Sequence, residues 1–229
     1  MPKNHLKIQK VPSTWPITRK HTVFVTRPNP GAHTKKLSIP INIILRNILG
    51  KAKTTKEVKK ILHDEEILVD GRRRNDHKYP VGLMDVFSIP KENEHYVMLI
   101  NQQNTLYLEK IDKKDAQHKI SKLENKKLLG KNKIQLITSG GRNIIVKKDE
   151  YKTGDSLLIS IPEQEIKSVF KLETGATIFL FKGSHVGKIA NVVSIKDNVL
   201  KFKLDSEEFE TSKNYAIVIG KDKPAINIK

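Results

Sequence analysis

No aspartate or glutamate precedes Glu57, whereas twelve lysines and arginines do. A stretch of that length cannot neutralise itself through internal ion pairs. Prolines at 2, 12, 16, 28, 30 and 40 deny it a long helix. Residues 1–40 are therefore expected to form a basic arm that buries no core of its own and takes its shape from a partner. Trp15, Ile17, Val23, Phe24 and Val25 interrupt the charge, which a purely solvating tail does not need. Aromatic rings among cations suit RNA loops, and a lone tryptophan packed on its own protein is the alternative. Arg19, Lys20, Arg27, Lys35 and Lys36 are the candidate phosphate contacts of this arm.

The rest of the chain keeps the imbalance. Over 229 residues, 43 Lys and Arg face 25 Asp and Glu, a net charge of +18 that points to a polyanionic partner. No window approaches eighteen uncharged apolar residues, so membrane insertion is not expected. The absence of cysteine excludes disulfides and thiolate metal sites. The histidines at 5, 21, 33, 63, 77, 95, 118 and 185 show no metal-ligand spacing. The polar start MPKNHLKIQK lacks the apolar core of a secretory signal. A cytoplasmic protein without metal, cofactor or small-molecule substrate is the expectation.

In residues 41–103 the hydrophobic period carries most of the information. Ile41, Ile44, Leu45, Ile48 and Leu49 make the stripe of an amphipathic helix, with Pro40 suited to its first turn and Gly50 to its end. The TTKE sequence predicts a second helix with a capping box between Thr54 and Glu57 and an apolar face of Val58, Ile61 and Leu62. The period then becomes strand-like over ILVDGRRR, with Asp70-Gly71 as a turn. A partner strand holding Val86, Phe87 and Ile89 follows the Pro80 and Gly82 loop. Asp70 reads as a turn former and Asp85 as a strand start. Arg46, Lys51, Lys53, Lys56, Lys59, Arg72, Arg73, Arg74 and Lys78 are spaced to track a phosphate backbone rather than to read base edges. A solvated charge run is the bland alternative for the arginine triplet.

KAKTTKEVKKIL and ILVDGRRR make this region resemble the small RNA-binding domain shared by bacterial ribosomal protein S-four, pseudouridine synthases and tyrosyl-tRNA synthetases. HLK, RPNPGAH, PINIILRNIL, VDGRRRNDHKYPVGLMDVFSI and GKDKP together resemble, over nearly the whole length, the archaeal and eukaryotic small-subunit ribosomal protein S-four-e family. That resemblance implies binding to small-subunit ribosomal RNA during assembly, residence in the mature particle beside neighbouring ribosomal proteins, and a cytoplasmic location in the ribosome.

Beyond residue 103 the chain reads as β. Residues 105–108 alternate like a strand, and KKDAQHKISKLENKKLL mixes helical and strand-like signals. Residues 134–138 and 143–146 flank the SGGR turn as a hairpin with Arg142 on it, a candidate phosphate contact whose alternative is a turn arginine facing only water, and 157–161 form another strand. Residues 176–181, 189–195, 199–204 and 215–219 suggest a small barrel. KGSHVGK, between the first two of these strands, resembles a KOW motif, although Ala190 stands where that motif usually has glycine. Its spacing fails that of a nucleotide P-loop. Lys182, His185 and Lys188 are its candidate RNA contacts.

The expected fold is α+β and multi-domain. It comprises a basic arm at 1–40, a helix-helix-hairpin RNA-binding domain at 41–103, a mainly antiparallel β domain at 104–165, and an SH3-like KOW-type β-barrel with tail at 166–229. The expected function is a non-enzymatic rRNA-binding constituent of the small ribosomal subunit. An RNA-modifying enzyme would need a buried acid or nucleophile, such as Asp155, in the β-rich half. A KOW-containing transcription factor would leave the basic arm without a clear task.

Overall fold

The computed structural model describes residues 5–20, 22–64, 66–130, 133–204, 207–221 and 225. The GKDKP stretch lies mostly outside them. The chain divides into two compact units, one of residues 1–100 and 104–116, the other of 101–103 and 117–229.

The first unit begins with a two-stranded ribbon, β1 (Leu6–Lys7) against β2 (Phe24–Val25). Residues 5–20 and 22–40 pack onto the unit instead of standing off as an arm. Leu6, Ile8, Val11 and Trp15 are buried, Trp15 to 4% exposure. Trp15 Nε1 donates to the Lys35 carbonyl (3.1 Å) and Thr14 Oγ1 to that of Lys36 (2.7 Å). Prolines forbid a long helix but not an extended chain that buries alternate side chains, which corrects the expectation of a coreless arm.

Strand β3 (Ser38–Pro40) leads into α1 (Ile41–Ile43), which widens into a π turn over Ile44–Ile48. Pro40 sits ahead of the helix in extended conformation (ψ 145°), not in its first turn. Residues 41–45 are buried on every side. The amphipathic stripe therefore marks a short core plug, and Ile48 and Leu49 reach only half-burial. Helix α2 (Thr55–Asp64) starts as expected. Thr54 Oγ1 accepts the Glu57 N–H (3.3 Å), and Glu57 reaches back to the Lys53 N–H (2.7 Å).

A five-stranded antiparallel sheet follows, built from β4 (Leu68–Val69), β5 (Arg72–Arg73), β7 (Val86–Ile89), β8 (Glu94–Ile100) and β9 (Leu106–Lys110) in the order β5-β4-β7-β8-β9. Outside it, β6 (Pro80–Gly82) pairs with β3. Asp70 (φ 51°) and Gly71 (φ 70°) form the left-handed two-residue turn between β4 and β5. Two arginines of the triplet thus lie on a strand, and β7 flanks β4 on its other side. Asp70 does more than turn the chain. Its buried carboxylate accepts the Val86 N–H (3.0 Å) while its own N–H donates to the Val86 carbonyl (2.8 Å). β9 completes this sheet, so the first unit runs past residue 103.

Asp85 also has a structural task. It accepts the Gly82 N–H (2.7 Å) and pairs with His33 Nε2 (3.0 Å), with both side chains nearly buried. A Cβ on Gly82 would overlap the His33 ring, and one on Gly31 would stand 2.6 Å from Pro80 Cγ. The Asn29 N–H donates to the Lys78 carbonyl (3.0 Å) in the same seam. Residues 29–33 are thereby seated against 76–85.

The second unit holds two five-stranded antiparallel sheets. One comprises β10 (His118–Leu128), β11 (Ile134–Thr138), β12 (Asn143–Val146), β13 (Ser156–Ser160) and β14 (Ile166–Phe170), ordered β12-β11-β10-β13-β14. The other comprises β15 (Thr177–Leu180), β16 (Ile189–Lys196), β17 (Val199–Leu204), β18 (Glu207–Ser212) and β19 (Ala216–Gly220), ordered β18-β17-β16-β15-β19. The ambiguous KKDAQHKISKLENKKLL is one long strand, β10, after a short 3-10 turn. Strands β14 and β18 were not expected, the latter because EEFETS reads as polar. Separate apolar clusters form around Leu123, Leu136 and Leu157 and around Ile178, Leu200 and Phe202.

Lys122 on β10 ties the two sheets of this unit together. Its buried ammonium donates to the carbonyls of Lys213 (2.7 Å) and Ala216 (2.8 Å). Burial lowers its pKa to about 8. Between about pH 8 and 10.5 the unfolded chain keeps a proton that the folded chain releases, so this group makes stability rise with pH across that window. Urea melts of the second unit should show the rise, and Lys122→Met should abolish it. In the first unit, Gly82→Ala should cost about 2 kcal/mol through forced displacement of His33, measured by chemical denaturation.

Candidate nucleic-acid interface

The basic residues of the first unit fall into two groups, those directed at solvent and those engaged by the fold. On α2, Val58 and Leu62 face the core while Lys56, Lys59 and Lys60 are exposed, and Lys53 is exposed on the preceding turn. Arg73 Nη2 donates to the His63 carbonyl in the last turn of α2 (3.1 Å), joining the β4–β5 hairpin to the helix and placing positive charge at its C-terminal pole. Arg72, next to it on β5, is exposed. Burial, reinforced by the nearby Lys59 charge, lowers the pKa of His77. Helix and hairpin thus both carry exposed cations, and Arg73 is the one the structure ties across to the helix.

Arg74 serves the fold. Its guanidinium lies 4.3 Å from the centroid of the Tyr79 ring, its backbone N–H donates to the Ile67 carbonyl (2.9 Å), and its side chain is half-buried. Lys51 is engaged as well, by Glu92 and by Glu94 (2.6 Å). Burial opposes its charge, but the two carboxylates hold its pKa above the ordinary value, and its hydrogen bond holds that of Glu94 below. Lys78 is half-buried beside the seam to residue 29. Arg46, on the π turn, donates through Nε to Asn47 Oδ1 (3.2 Å). Arg19, Lys20, Lys35 and Lys36 are exposed and Arg27 is half-buried. The backbone carbonyls of Lys35 and Lys36 hold Trp15 and Thr14, which leaves both ammonium groups at the surface.

In the second unit, Arg142 is half-buried on its glycine turn and gives its carbonyl to Thr138 (3.1 Å). Lys182 is exposed, with its ammonium 5.5 Å from the Phe181 ring centroid and 6.0 Å from that of Tyr215. The His185 ring packs at 4.2 Å from Phe209 and 5.6 Å from Phe202. Lys188 is half-buried. Asp155, the candidate acid of the enzymatic alternative, is buried and spends its carboxylate on the N–H groups of Lys152 (2.9 Å) and Leu172 (3.0 Å).

These groups can hold anionic oxygens by charge-assisted hydrogen bonds. Among the described residues no three His, Asp or Glu side chains cluster to hold a metal ion, and no helix is long and apolar enough to cross a membrane. The capping role of Arg73 and the capture of Lys51 were missed in the sequence. The acids of the KENEH stretch were the one available signal for the second.

Comparison with known proteins places this arrangement in a family of ribosomal proteins. Residues 92–166 match the model of ribosomal family S4e, and residues 1–36 match the RS4NT domain. The small ribosomal subunit protein eS4 of Methanocaldococcus jannaschii is 41% identical, covering 99% of this chain and 98% of its own. That of Methanosphaera stadtmanae is 40% identical, covering 99% and 96%. The crystal structure of the 30S ribosomal protein S4e from Thermoplasma acidophilum superposes with a TM-score of 0.71 at 31% identity, over 80% of this chain and 95% of that one. The chain belongs to the ribosomal S4e family.

The two kinds of arginine in the triplet separate experimentally. Arg74→Ala should lower the stability of the first unit by about 1 kcal/mol through loss of the Tyr79 contact. Arg72→Ala should leave it within about 0.5 kcal/mol. Chemical denaturation measures both.

Proposed function

We propose that this protein is a structural, non-enzymatic constituent of the small ribosomal subunit, acting in the cytoplasmic ribosome and binding ribosomal RNA through phosphate-directed basic surfaces. The observation that carries the RNA-binding part is the set of exposed cations at Lys53, Lys56, Lys59 and Lys60 and on the Arg72–Arg73 strand, which Arg73 joins to the end of the helix. Its setting is a chain whose relatives bear the name small ribosomal subunit protein eS4. The donors follow a helix and a hairpin, a geometry suited to a backbone groove rather than to a single ligand.

On this reading residues 41–103 act as an S-four-type RNA-binding module, and residues 166–229 form a KOW-type barrel whose Lys182 offers a secondary contact. Neighbouring ribosomal proteins are the further partners. Asp155, with both carboxylate oxygens already engaged by backbone N–H groups, favours a structural over a catalytic role.

Small subunits purified through a high-salt wash should retain the protein at stoichiometric level. Its absence there, or its recovery with RNA polymerase instead, refutes the assignment. Affinity for small-subunit rRNA should fall steeply with salt, and Lys56→Ala, Lys59→Ala and Arg72→Ala should each reduce the slope of log affinity against log salt by about 1.

A further inference from the structure

We propose that a cleft in the first unit, between the β1–β2 ribbon and the π turn after α1, receives one unstacked, carbonyl-bearing nucleobase, uracil or guanine, of single-stranded RNA. This goes beyond the phosphate-directed surface and rests on the RNA-binding reading.

The cleft has apolar walls from Ile17, Val25 and Ile43, while Thr22, Arg46 and Asn47 also line it. Apolar walls with a few convergent polar groups are the usual make-up of a small-ligand site. An unstacked base matches that make-up, with flat apolar faces and a hydrogen-bonding edge.

The polar groups select the kind of base. Arg46 Nε donates to Asn47 Oδ1 (3.2 Å), which occupies the amide's acceptor. Asn47 Nδ2 and the terminal guanidinium nitrogens make no hydrogen bond or ion pair to the other described residues. The cleft therefore offers chiefly donors. On the edge that faces the major groove in a duplex, guanine presents only acceptors (N7 and O6) and uracil its O4 carbonyl, whereas adenine and cytosine each present there an amino group that is itself a donor. An apolar side chain from a protein would leave those donors unanswered.

Two further observations favour a ligand here. The Leu49 N–H donates to the Ile44 carbonyl five residues back (2.9 Å), and that widened turn carries Arg46 and Asn47 to the cleft as consecutive residues. Such turns are rare and concentrate at functional sites. Between the cleft-lining Thr22 and Val25, Val23 and Phe24 are 65% and 53% exposed, apolar surface that this unit leaves uncovered. The whole site belongs to the stretch without acidic residues, so an incoming backbone meets no fixed negative charge from it.

Binding of the full chain to oligouridylate and oligoadenylate of equal length, at one salt concentration, tests the proposal. Oligouridylate should bind about tenfold more tightly. Thr22→Trp, which fills the cleft from an exposed position, and Asn47→Leu should each remove that preference while leaving the salt slope unchanged. Equal affinity in the unmodified protein, or a preference that survives Thr22→Trp, overturns the cleft assignment and leaves the RNA-binding reading standing. Failure to bind either oligonucleotide at low salt overturns both. A photo-crosslinker in place of Val23 should capture RNA in assembled small subunits, and capture of a protein instead overturns the proposal.

Discussion

The buried contact among His33, Gly82 and Asp85 is the constraint on which the first unit depends. It joins residues 52 positions apart in sequence, one from a segment without acidic residues and one from the position just before the central strand β7. A basic segment has no internal means of ordering itself. The Asp85 carboxylate supplies an external one, because it lies inside the fold and is already held by the Gly82 N–H. Once His33 is seated, Gly31 comes against Pro80 and Asn29 meets the Lys78 carbonyl. Trp15 and Thr14 then hang on the carbonyls just beyond, at Lys35 and Lys36. The result is a cationic surface already seated on the fold, and such a surface loses less entropy on binding than a tail that must order at the moment of contact.

This seam also bears on the family resemblance. RPNPGAH and PVGLMDVFSI, two stretches that carry it, are the two sides of one docking joint, with His33 on one and Gly82 and Asp85 on the other. Nothing in either stretch read alone points to the other. Asp85 looked like the start of a strand because its partner stands half a hundred residues upstream, and long-range pairings leave no local period.

Local signals were legible. The capping box at Thr54 and Glu57, the Asp70-Gly71 turn, the 134–146 hairpin and the run Val199–Leu204 all lie where the sequence puts them, since each is decided within a few residues. What failed was context. The 41–49 stripe fitted a surface helix, yet residues 41–45 are buried all round and the helix widens before it can lengthen. The exposed lysines of α2 could be picked from periodicity, because polar positions on an amphipathic helix face water. The separation of Lys51 and Arg74 from that set could not, because it depends on Glu92, Glu94 and Tyr79, which the fold alone brings near.

The placement of the docking joint has a consequence for synthesis. A chain is made N-terminus first, and residues 5–33 are synthesised before residues 76–85 exist to receive them. Over that interval the buried set of Leu6, Ile8, Val11 and Trp15 lacks the joint that seats its segment, and the cations before Glu57 have no acidic residue among them. The nascent segment is at its most cationic and most sticky when RNA is the nearest surface. Folding of the first unit therefore ends a period of vulnerability that opens with the first residues made, and its duration is set by the distance along the chain from His33 to Asp85.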